Sequence, residues 1–156
     1  QARQMKEKGL AWVPTITPYT RAAIRSKQKF EADPTPENEA RCKVYGACAE
    51  AYRNHFKELY DTGVTVGAGT DLSLDEGDGA PVAGELKYMV EYGISPMEAI
   101  RVGTANGAAI LGISDETGML KEGLAADLLV VRGNPGMKIE DLENVEAVWR
   151  NGVLAI

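Results

Sequence analysis

Apolar positions along the chain fall into two textures. From the start, residues 1–8 are polar and helix-prone and close at Gly9, and the run 10–16 (LAWVPTI) is continuous enough for a buried strand. Pro14 lies late in that run, marking the strand's end or a place where no ladder donor is needed. Residues 21–32 are basic and helix-compatible, and Asp33-Pro34-Thr35-Pro36 interrupts them. Thr35 followed by Pro36 predicts an N-cap with proline at the first helical position. Tyr45, Cys48, Tyr52, Phe56 and Leu59 then recur at three- and four-residue spacing, predicting a long helix to about residue 60. Gly63 ends it, and 63–71 (GVTVGAGTD) reads as a short apolar strand running into Asp71. Helices follow over 85–92 and from Ser95-Pro96-Met97-Glu98, a capping box with proline at its first position, into the small-residue run 104–112. Beyond residue 112 the pattern becomes short β-rich runs at 126–131, 145–149 and 153–156, the last two joined by the hairpin signal Asn151-Gly152.

Strand, long helix, strand predicts parallel pairing of 10–16 with 63–71. Parallel α/β folds carry their chemistry at the strands' C-terminal ends. Asp71 follows small residues that would let a ligand approach the backbone, and Thr15, Thr17 and Tyr19 lie at or just past the end of the other strand. Asp71 is thus the leading candidate for chemistry, although Thr70-Asp71 reads equally as a turn, and the three hydroxyls as loop residues. The acidic stretch after Asp71 fails as a calcium loop, because Glu76 stands where the glycine belongs and Val82 where the bidentate acid belongs. Asp75, Glu76 and Asp78 read as solvated charges on a loop over the rim, with a possible bias toward cationic substrates. His55, the sole histidine, flanks the apolar stripe of its helix and reads as structural.

The composition is that of a globular chain: 156 residues, 44% hydrophobic, 26% charged, net charge -6. Lys and Arg are scattered, which argues against nucleic acid, and neither a membrane span nor a signal segment is expected. Cys42 and Cys48 are ~9 Å apart along one helix, too far for a disulfide, and favour a reducing compartment, hence a cytoplasmic location. Opening at Gln1 in mid-pattern suggests a piece of a longer chain.

Taken together, GVTVGAGTD, then ELKYMVEYGISPMEAIRVGTANGAAILGI, then TGMLKEGLAADLLVVRGNPGMKIEDLENVEAVWRNGVLAI resemble the C-terminal portion of an amidohydrolase-superfamily enzyme of the imidazolonepropionase-like, prolidase-like group. The resemblance implies an α/β fold, the C-terminal part of a (β/α)8 TIM-type barrel (residues 1–113), followed by C-terminal strands of a small β-sandwich (114–156). It implies a divalent metal, Zn2+, with one or two ions in the complete enzyme and no other cofactor, and a hydrolase acting on a C–N bond of a small molecule or dipeptide. Asp71 would be the metal ligand that accepts a proton from the metal-bound water and passes it to the leaving group. Thr15, Thr17 and Tyr19 would face the substrate.

Such a site also needs a His-x-His pair and further histidines, and His55 matches none of them. One Asp cannot hold zinc, which in catalytic sites takes three protein ligands, so this chain alone is expected to be inactive and to hold no metal. A whole barrel takes ~200–250 residues, so the missing N-terminal part is an expected partner, alongside a possible homo-oligomer. The competing reading is a non-catalytic half-barrel serving as a binding or scaffold module, whose open edges and apolar inner face would demand a partner.

Overall fold

The computed structural model describes residues 1–71 and 81–156, with Pro81 as backbone only. The acidic stretch with Asp75, Glu76 and Asp78 lies outside the described residues.

Helix α1 (Ala2–Glu7) leads into β1 (Ala11–Trp12). Helices α2 (Ile16–Ala32) and α3 (Pro36–Asp61) pack on each other before the chain returns as β2 (Thr65–Val66). β1 and β2 pair in parallel with Ala11 opposite Thr65 and Trp12 opposite Val66, and Gly67 N donates to Trp12 O at 3.0 Å, extending the ladder. Helices α4 (Pro81–Glu91), α5 (Pro96–Gly103) and α6 (Ala105–Leu111) follow. The strand–helix–strand order with parallel pairing is a partial (β/α) barrel. Three strands, β3 (Leu128–Val131), β4 (Val145–Arg150) and β5 (Val153–Leu154), then form a separate antiparallel sheet in the order β3-β4-β5.

Local chemistry accounts for most element boundaries. Thr35 caps α3 by accepting from Asn38 N at 3.3 Å, with Pro36 opening the helix. The Ser95–Glu98 capping box opens α5 with reciprocal bonds of 3.3 and 2.7 Å. Asn151 and Gly152 both take positive φ, 50° and 75°, as a type I′ hairpin turn requires.

The expected strand 10–16 is shorter, and the expected helix 21–32 starts earlier. Pro14 has no donor and Thr15 turns left-handed with φ 50°, so the strand stops at Trp12 and α2 begins at Ile16. Pro18 is tolerated there because the first-turn N–H groups have no intrahelical acceptor.

The core lies between the strand pair and the helices: Phe56 of α3, Val66 of β2, Ile16 of α2, Met89 of α4 and Val102 of α5 are all fully buried, and the Trp12 ring sits 5.8 Å from that of Phe56. The segment after residue 114 contributes to this core too. Ile139, opening a 3-10 turn (Ile139–Glu143), is 3% exposed and belongs to the same cluster, with Lys87 Nζ 3.3 Å from Glu143 Oε1 beside it. No helix among the described residues is long and apolar enough to cross a membrane.

Candidate active-site rim

The C-terminal ends of β1 and β2 make one rim. On the β2 side, Gly67, Ala68, Gly69 and Thr70 lead to Asp71, which is exposed and has φ 47°. The two glycines are needed for packing. A Cβ on Gly67 would stand 2.5 Å from Ile110 Cδ1, and one on Gly69 would stand 2.6 Å from Val13 Cγ1 and 3.9 Å from Thr15 Cγ2. Their smallness lets the side chains of Ile110 on α6 and of Val13 sit close on the strand. Asn106 of α6 donates to Val66 O at 2.8 Å and satisfies a carbonyl at the end of the short ladder.

On the β1 side, the three candidate hydroxyls separate. Thr17 is fully buried in the first turn of α2, and its hydroxyl donates to Glu85 Oε2 at 2.6 Å. Thr15 is half-buried in the left-handed conformation, which a β-branched residue adopts at a cost. Tyr19 is exposed on α2, its ring 5.7 Å from that of Tyr52. Thr15 and Tyr19 thus gather beside Tyr52 of α3, whose hydroxyl donates to Pro14 O at 2.5 Å. Burial raises the Tyr52 hydroxyl above its ordinary 10.0, reinforced by Tyr19 and opposed by the Thr15 side chain, so it is protonated and donating at neutral pH.

Two residues that sequence reading did not mark as part of the site organise this rim. Tyr52 was visible only as a member of the apolar stripe of α3. Glu85, on α4, is fully buried, and its carboxyl accepts from Ile16 N at 2.7 Å, Thr17 N at 2.8 Å and the Thr17 hydroxyl. Burial raises its pKa, against the pull of these three bonds. A signal was available: Glu85 shares a helical face with Met89 and Tyr92, at four and seven residues' spacing, and an acid on an apolar face calls for partners.

No group of three or more His, Cys, Asp or Glu side chains suited to a metal occurs among the described residues. His55 is exposed on α3 with Nδ1 3.8 Å from Glu58 Oε2. Asp71 therefore offers one carboxylate where a catalytic zinc takes three protein ligands, and the residues present do not by themselves fit a metal.

The family model for the amidohydrolase family matches residues 6–155. This chain belongs to the amidohydrolase family. It is similar to the ochratoxinase of Aspergillus niger, 30% identical over an alignment 155 residues long that covers 96% of this chain and 30% of that protein. The crystal structure of A. niger ochratoxinase superposes with a TM-score of 0.73, covering 96% of this chain and 33% of that one. A crystal structure of a Xaa-Pro dipeptidase with bound methionine in the active site superposes with a TM-score of 0.77 at 34% identity, covering 96% of this chain and 35% of that one. The amidohydrolase chain described here thus spans about a third of the length of these relatives.

Proposed function

We propose that this chain is the C-terminal part of a metal-dependent amidohydrolase of the imidazolonepropionase-like, prolidase-like group, which hydrolyses a C–N bond of a small molecule or dipeptide. The observation that carries the reading is the position of Asp71 five residues beyond Val66, the last residue of the second parallel strand, within a family match that runs from residue 6 to residue 155. In this proposal Asp71 is one ligand of a divalent metal, Zn2+, and the carboxylate that carries the proton. The remaining ligands come from an N-terminal barrel segment. A bound divalent ion supplies an activated water at neutral pH. In the same reading Thr15 and Tyr19 meet substrate, whereas Thr17, fully buried against Glu85, does not; residues 1–113 and 114–156 are the barrel and sandwich portions. The similarity to a Xaa-Pro dipeptidase makes Xaa-Pro dipeptides the first substrates to try.

The test is hydrolysis of a panel of Xaa-Pro dipeptides and N-acyl amino acids by the protein together with the N-terminal barrel segment, with and without added Zn2+. Metal-dependent turnover is expected, and Asp71→Asn should lower it about 100-fold or more while leaving the thermal midpoint in place. Near-normal turnover in Asp71→Asn would remove Asp71 from the mechanism. Absence of any turnover would favour the non-catalytic binding module, which the lack of a metal-ligand group among the described residues makes the second reading.

A further inference from the structure

Helix α2 has no cap of its own. Its N-cap residue, Thr15, is left-handed, and the Thr15 side chain accepts no bond from the first turn. The N–H groups of Ile16 and Thr17 would be orphans at a helix start, and both residues are fully buried, where an unpaired donor is costly. Glu85 takes both, one on each carboxylate oxygen, across sequence separations of 69 and 68 residues, and adds the Thr17 hydroxyl. On the other side of Thr15, the Pro14 carbonyl is taken by Tyr52. Thr15 is therefore held between two side chains, from α4 and α3, in a strained conformation that persists only where its surroundings over-determine it. A Cβ on Gly69, two residues before Asp71, would stand 3.9 Å from the Thr15 methyl, so the clamped residue stands on the same rim as the candidate carboxylate.

We infer that Glu85 is a positioning residue: from α4 it holds the start of α2 and fixes Thr15 in its left-handed conformation on the rim that carries Asp71. It touches no reacting atom. Its effect on turnover rests on the amidohydrolase reading above, whereas its effect on the backbone does not.

The experiment compares Glu85→Gln with Ile139→Ala, a core variant in the 3-10 turn of the C-terminal segment, by NMR on the folded proteins. In Glu85→Gln the amides of Ile16 and Thr17 should exchange at least about tenfold faster, and the Thr15 shifts should leave the left-handed range. In Ile139→Ala the Thr15 shifts should match wild type, and exchange at Ile16 and Thr17 should quicken no more than that of the other core amides. Turnover of the Xaa-Pro panel by the complete protein should fall at least about tenfold further in Glu85→Gln than in Ile139→Ala. Wild-type shifts at Thr15 together with unchanged exchange at Ile16 and Thr17 in Glu85→Gln would overturn the inference, as would equal turnover in the two variants. If wild type hydrolyses nothing, the proposed function fails and the backbone measurements alone decide the role of Glu85. Should Glu85→Gln not fold, Thr17→Val, which removes only the hydroxyl donor, should show the same shifts to a smaller extent, and no change there would refute the inference.

Discussion

Tyr52→Phe isolates one hydrogen bond at the rim. The substitution keeps the ring, and with it the packing against Tyr19 at 5.7 Å, and removes the hydroxyl that donates to Pro14 O. Pro14 is fully buried, so its carbonyl is left without that partner in a place that water does not reach. An acceptor stranded in this way costs about 1–3 kcal/mol, partly offset because the phenolic hydroxyl no longer has to be desolvated, so the net loss should be about 1–2 kcal/mol. For a chain of this length that lowers the melting temperature by about 3–6 °C. Urea unfolding followed by circular dichroism at neutral pH would measure it, with Tyr19→Phe, on the exposed side of the ring pair, expected to change stability by less than about 0.5 kcal/mol. Because Tyr52 and Glu85, the latter partly through the Thr17 hydroxyl, hold the chain on either side of Thr15, Tyr52→Phe and Thr17→Val should be non-additive by about 0.5 kcal/mol or more. A Tyr52→Phe loss under about 0.5 kcal/mol, or strict additivity with Thr17→Val, would refute the idea that Thr15 is clamped from both sides.

Acidity should separate Glu85 from the other shifted carboxylates. Burial raises its pKa above the ordinary 4.5, so the folded form binds the proton more tightly than the unfolded one. Its contribution is then complete below 4.5 and fades as pH rises through the raised value. Glu98, lowered by its bonds to Ser95, and Asp127, lowered by Asn151 N and the Thr117 hydroxyl, run the other way, contributing above their ordinary 4.5 and 3.8 and losing that contribution as pH falls through the lowered values. The stability advantage of wild type over Glu85→Gln, taken from urea curves between pH 4 and about 7, should therefore shrink as pH rises; a widening gap would reverse the assignment. Gly133→Ala should cost about 1–3 kcal/mol by thermal melting, since Gly133 has φ 108° and a Cβ there would overlap the Asp141 carboxylate that accepts from Asn134 N at 2.8 Å. An unchanged melting temperature would show that Asp141 can move aside freely.

The parts of the fold legible in the sequence were those fixed by short-range chemistry. Thr35-Pro36, Ser95-Pro96-Met97-Glu98 and Asn151-Gly152 each satisfy their own backbone within a few residues, so the residues that encode the feature also stabilise it. The parallel pairing of the two strands followed from the length of helix between them. At the start of α2 the encoding is non-local. Nothing within residues 10–20 shows that the donors of Ile16 and Thr17 have an acceptor, because that acceptor is Glu85. Read locally, Thr15 and Thr17 look like loop hydroxyls of the same kind, although one stands at the rim and the other is sealed beneath it. The position of Asp71 after β2 is readable from its own stretch, because the strand and the residues that follow it are contiguous in the chain.

The ladder that should define the rim is only two residues long on each strand, with one further bond from Gly67 to Trp12. So short a ladder cannot by itself hold thirteen to seventeen and sixty-six to seventy-one in register to the accuracy that a reacting group requires, since chemistry tolerates displacements of only about 1 Å. Here three polar side chains reach the strand ends from the surrounding helices: Tyr52 of α3 at Pro14, Glu85 of α4 at Ile16 and Thr17, and Asn106 of α6 at Val66. Each bonds main-chain groups, Glu85 the Thr17 hydroxyl as well, and among the described residues none of the three reaches Asp71. The helices thus fix where the rim lies, and leave the carboxylate on it open to solvent. That division suits the proposed site: the scaffold is set by this chain's own helices, while the exposed Asp71 carboxylate takes no bond from these three side chains.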